Sequence, residues 1–192
     1  MPLRVNNGTA LNPQAPDAPS GAQRIVRIRH RSQKGRRWCW AACIQMVLEH
    51  NNVQMSQCKI VRKKLNDQQS TCAELEDTSC RARDMKPMWK QLGIKKVRPH
   101  DWHLGMAKIK SEIAADRPVQ VGILWDDDEG GGGHAVLIKG WAATSPVTLL
   151  IDDPLRQSSV GSSKFGTGRA THAELKNALG HGTWRYTWHN LE

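Results

Sequence analysis

The apolar residues of this chain change their spacing between residues 115 and 119, and that change limits the folds open to it. Before it they recur three and four positions apart, as one face of a helix requires. From Cys39 the small or apolar residues fall at Ala42, Cys43, Met46 and Val47, so a helix starts near residues 38–40 and ends at His50-Asn51-Asn52. A helix buried along such a stripe is a central one. Further helices are expected at 54–65 with Ser56 as N-cap, at 83–92 stopping at Gly93, and at 106–115 stopping ahead of Arg117-Pro118. After residue 119 the apolar residues come in short runs, at 119–125, 135–141 and 147–151, separated by turn residues, as in an antiparallel meander. Thr171 caps a helix reaching Leu179, and 183–188 reads as a last strand. Helices first and strands later indicate an α+β domain, with a helical half packed on an antiparallel sheet.

The chain has 192 residues, enough for one medium domain with its own core. Residues 1–22, rich in Pro and Asn, read as a flexible leader, and residues 23–192 as the domain. Residues 25–29 alternate and suit a short strand. No run of about 18 apolar residues is present, so no membrane span is expected. The N-terminus also lacks the apolar core of a signal peptide, which suits a cytoplasmic start or delivery by another route.

Net charge is +10, and Arg24, Arg27, Arg29, Arg31, Lys34, Arg36 and Arg37 crowd the approach to Cys39. They form either a solvated basic face or a docking surface for an acidic partner. No aromatic residues interleave with the early part of the run, so nucleic acid is not the expected partner. Of five cysteines, Cys58, Cys72 and Cys80 could supply a disulfide or stay reduced; no C-x-x-C pair suits zinc. The acidic-glycine stretch 126–133 is a hairpin tip or a mobile loop gating substrate, and it lacks calcium-loop spacing.

A thiol is a nucleophile only as a thiolate. A helix N-terminus favours the anion, and a nearby histidine accepts the proton. Cys39 is placed for the first device; Cys43, a turn deeper, reads as a core cysteine. His134 opens an apolar strand after four glycines and is the candidate base. Asp152 and Asp153 end the next strand, and an acid there can hold the other imidazole nitrogen. The period of two points them to opposite faces, so only one meets His134, and Asp153 is favoured. Gln33, six residues before Cys39, can join the Cys39 N–H in holding an oxyanion, or else it is a solvated loop residue like Gln45, Gln54 and Gln57.

Taken together, Gln33-x5-Cys39-Trp40-Ala41-Ala42, Gly-Gly-His134-Ala-Val-Leu-Ile and Asp-Asp153-Pro154 resemble the bacterial papain-like cysteine proteases, among them plant-pathogen effector proteases and peptidases that cut after double glycine. The resemblance spans about residues 25–190. It implies a papain-like fold, with Cys39 as nucleophile, His134 as base, Asp153 as orienting acid and Gln33 as oxyanion donor. It also implies a protein or peptide substrate, no cofactor or metal, and the role of an effector or toxin, with an immunity or activator protein as a further partner. Cys58, Cys72 and Cys80 resemble a cysteine-bearing insert of some such proteins. The doubled acid departs from the pattern, and there is no long propeptide of papain's kind. Two other readings use the same residues: a deamidase, transglutaminase or acyltransferase on the same triad, and a non-enzymatic basic binding module.

Overall fold

The computed structural model describes residues 22–80, 82–126, 132–159, 163–165 and 168–192. In chain order the elements are β1 (Gln23–Ile25), α1 (Cys39–His50), α2 (Gln57–Leu65), α3 (Ala82–Gln91), β2 (Arg98–Asp101), α4 (Met106–Ala114), β3 (Val119–Trp125), β4 (Gly133–Ala142), β5 (Thr148–Asp152), β6 (Arg169–Thr171), α5 (His172–Lys176) and β7 (Gly182–His189). The strands form one sheet in the order β2-β7-β3-β4-β5-β6, with β1 on β4 and every pairing antiparallel. The meander β3-β4-β5 follows the sequence expectation. The return of β7 to lie between β2 and β3 does not, because pairing across sixty residues leaves no local signature.

Alternation along β4 divides the core. Ala135 and Leu137 pack with Ile44, Met46 and Val47 of α1, Ile60 of α2 and Trp89 of α3. Val136 and Ile138 pack on the other face with Ile109 and Ile113 of α4, Leu175 of α5, and Val121 and Leu149 of the neighbouring strands. The α+β class stands, and helices cover both faces of the sheet. Nine residues of α1 are buried, which makes it the central helix expected from its apolar stripe. Burying each Ile, Leu, Val or Met side chain contributes about 1.5–3 kcal/mol, so α1 is held by packing more than by helix propensity.

Local chemistry sets the boundaries. Ser56 Oγ accepts from Lys59 N, starting α2. Thr171 and Glu174 form a reciprocal capping box on α5. That helix stops at Lys176 rather than reaching Leu179, because Ala178 and Leu179 take positive φ in a 3₁₀ turn. β1 lies at Gln23–Ile25, earlier than the alternation at 25–29 suggests. It crosses β4 at Gly140, where any Cβ would sit 2.4 Å from the Arg24 carbonyl. Cys58 and Cys72 are joined in a disulfide that ties α2 to the irregular loop beyond it. Residues 1–21 of the expected leader 1–22, and residues 127–131 of the acidic-glycine stretch, lie outside the described residues.

Candidate active site

Cys39 is the first residue of α1 and is buried. Its own N–H therefore has no acceptor within the helix, and the helix dipole favours negative charge beside it. The loop at residues 75–78 supports this helix start from behind. The buried Trp38 indole donates to Leu75 O at 2.8 Å, Trp40 donates to Thr78 O at 3.1 Å, and Arg37 N donates to Glu76 O at 3.2 Å. The backbone turn before Trp38 has no room for a side chain. A Cβ on Gly35 would lie 2.6 Å from the Trp38 ring and 2.8 Å from Glu76 O.

His134 opens β4 and is buried. Its Nε2 lies 2.8 Å from Asp153 Oδ1, and the ring is close enough to the Cys39 thiol for that group to favour its charged form. Burial alone disfavours a charged ring, but Asp153 and Cys39 outweigh it and lift the imidazole to about 10. Burial pushes the Asp153 carboxyl up in turn, and the bond to His134 more than reverses this, leaving it below the ordinary carboxylate range. Leu155 N donates to Asp153 Oδ1 at 2.8 Å, and Ser163 Oγ donates to Oδ2 at 2.6 Å. Trp125 stacks on the His134 ring, with centroids 5.7 Å apart and planes at 18°.

The two adjacent aspartates diverge as the period of two requires. Asp152 is fully buried and bonds His30 Nδ1 and Lys139 Nζ, the latter at 2.7 Å. Cys43 is fully buried, and burial pushes its thiol well above the ordinary range, with the nearby Cys39, Asp153 and Asp152 adding to the shift. It is a core thiol, as its depth in the helix suggested.

Gln33 is buried rather than solvated, and so is Gln57, which bridges Lys34 N, Ser32 O and Gln45 Oε1. The Gln33 amide nitrogen donates to Gly35 O at 3.1 Å and Arg36 O at 3.0 Å, inside the loop that leads to Cys39, and Oε1 is buried with no partner among the described residues. Arg24, Arg27, Arg29, Lys34, Arg36 and Arg37 are exposed; Arg31 is partly covered and bonds Glu49 at 2.8 Å. Trp125, Ser163 and His30 escaped the sequence reading. Trp125 alone left a signal, since it ends the strand whose neighbour begins with His134. Ser163 and His30 reach their aspartates from loops that no pattern marks.

A buried thiol at a helix start, an imidazole beside it and a carboxylate bonded to the imidazole are the parts of a thiol hydrolase. Residues 21–167 match the family model described as papain-like cysteine protease AvrRpt2. The chain belongs to that family. Its papain-like fold is similar to the crystal structure of a C39-like peptidase from Bacillus anthracis, with a TM-score of 0.59 at 12% identity, covering 88% of this chain and 97% of that one. No curated protein sequence matches. Among the described residues of this papain-like protease, no helix is long and apolar enough to cross a membrane.

Proposed function

We propose that this papain-like protease is an endopeptidase that cleaves a protein substrate through a thioester on Cys39. The reading is carried by one observation, the buried His134–Asp153 pair set beside the thiol of Cys39 at a helix start. His134 takes the thiol proton and Asp153 holds the resulting imidazolium. The thiolate attacks the scissile carbonyl, and the oxyanion is received by the Cys39 N–H and the Gln33 amide. For this, one Gln33 N–H must exchange a loop carbonyl for the oxyanion. Collapse breaks the C–N bond, and His134 returns the proton to the leaving amine. A water then loses its proton to His134, attacks the thioester and releases the acid and the thiol.

The resemblance to effector proteases supports delivery into a target cell, and the relatives that cut after double glycine support small residues near the cleaved bond. The exposed basic run suits an acidic partner, such as an immunity or activator protein. The test is labelling with an iodoacetamide probe near pH 6 and peptide mapping, followed by digestion of a peptide library. Labelling at Cys39 that needs His134, with cleavage lost in Cys39→Ala, is expected. Cleavage that survives Cys39→Ala, or labelling indifferent to His134→Ala, would overturn the reading. Products carrying a mass other than water across the broken bond would indicate acyl transfer.

A further inference from the structure

The adjacent aspartates at the end of β5 serve two different histidines. Asp153 takes His134. Asp152 takes His30, three residues upstream of Gln33. Around His30 lies a dense set of bonds between two chain segments. Its Nε2 lies 2.9 Å from Arg156 O and 3.1 Å from Ser32 Oγ, and Ser32 Oγ donates to the same Arg156 O at 3.0 Å. Gln33 N donates to Pro154 O at 2.8 Å, and Ser158 Oγ donates to Gln33 O at 2.9 Å. Residues 30–33 are thus bonded along their length to the turn at 154–158.

We propose that His30, anchored by Asp152, is a positioning residue that clamps residues 30–33 to this turn and so sets where the Gln33 amide stands relative to Cys39. The inference rests on the endopeptidase reading with Gln33 as oxyanion donor. The same turn begins at Asp153, yet Asp153 has supports of its own in Leu155 N, Ser163 and His134. Gln33 does not: among the described residues its backbone bonds only this turn, and its side chain bonds its own loop. Loosening the clamp therefore reaches Gln33 before Asp153. His30 is also a removable member of its cluster. Its side chain is 19% exposed, and Asp152 keeps Lys139 at 2.7 Å and Arg156 at 3.8 Å when the imidazole is gone. The buried carboxylate stays paired, so the fold survives the substitution.

Two probes separate the donor from the thiolate. Exchange with 2,2′-dithiodipyridine reads the nucleophilicity of Cys39 and develops no oxyanion. Acylation by an N-acylglycine p-nitrophenyl ester requires one. In His30→Ala, exchange at Cys39 stays within about twofold of wild type while acylation falls about 10–100-fold, the scale of a displacement near 1 Å at a reacting centre. Gln33→Ala has an acylation loss of similar size, and the double variant is no worse than Gln33→Ala, because both changes remove one contribution. In His30→Gln, an amide nitrogen stands in for Nε2 at the Arg156 carbonyl and recovers part of the rate. His30→Asn, whose amide stands in for Nδ1 instead, recovers less. Normal acylation in His30→Ala, additive losses in the double variant, or exchange falling in step with acylation would each overturn the clamp while leaving an active protease. A wild-type Cys39 inert to both probes would overturn the protease reading, and the clamp with it.

Discussion

Replacing Asp153 by Asn tests what holds the charge on His134. The ring stands at about 10 against an ordinary 6.5. At about 1.36 kcal/mol per unit, the gap corresponds to roughly 5 kcal/mol in favour of the imidazolium. Burial opposes that charge, so Asp153 and Cys39 supply all of it and more. Removing the carboxylate takes away roughly half, about 2–3 kcal/mol, which moves the ring about 2 units towards acid. A raised histidine keeps its proton below its folded value and loses it above. The alkaline limb of activity, near pH 10 in wild type, should therefore fall to near pH 8 in Asp153→Asn. At neutral pH the ring keeps its proton in both, so this shift should change turnover there by less than about twofold, and the loss should appear between about pH 8 and pH 10. Turnover of the p-nitrophenyl ester and pyridyl-disulfide exchange at Cys39, each measured from pH 5 to 11, give the limb directly. An alkaline limb unmoved by Asp153→Asn, or one moved instead by Asp152→Asn, would refute the reasoning and reassign the acid.

Three further outcomes follow from other parts of the molecule. Glu112 is buried; burial pushes its carboxyl up, but bonds from Arg117 and Lys108 hold it at about 2. Its contribution of about 3 kcal/mol is in place above pH 4.5 and is lost as pH falls towards 2, so urea midpoints at pH 6 and pH 2.5 should lie closer together in Glu112→Gln than in wild type. Reducing the Cys58–Cys72 bond, whose partners are 14 residues apart, should cost about 3 kcal/mol and lower Tm in a calorimetric scan by about 6–12 °C. Trp125→Ala removes the ring stacked on His134 and should slow ester turnover about 2–10-fold, the worth of one aromatic contact, while Trp125→Phe keeps most of the rate.

The parts of the site that sit on regular elements were legible in the sequence. The i+3, i+4 stripe located Cys39 at a helix start, the apolar run after Gly133 located His134 at a strand start, and the period of two separated Asp152 from Asp153. What could not be read is what reaches the site through loops. The carbonyls of Leu75 and Thr78 hold Trp38 and Trp40, but carbonyl positions leave no trace in residue type. Gln57 looked like a solvated residue because glutamine is mostly exposed, and only tertiary structure buries it. Which helix covers which sheet face was open for a similar reason. The stripe on α4 says that one face is buried and not which layer buries it.

The doubled aspartate looks like a spare copy and is not one. Each carboxylate is committed to its own side of β5, so neither can step in for the other after substitution. What the end of this strand resists above all is a change of length. Deleting or inserting one residue between Thr148 and Asp152 would shift the pair by one place, so that one histidine meets the wrong acid and the other meets none, without altering either acid's identity. A deletion scan should therefore find the strand far less forgiving than the turn at residues 143–147 that feeds it.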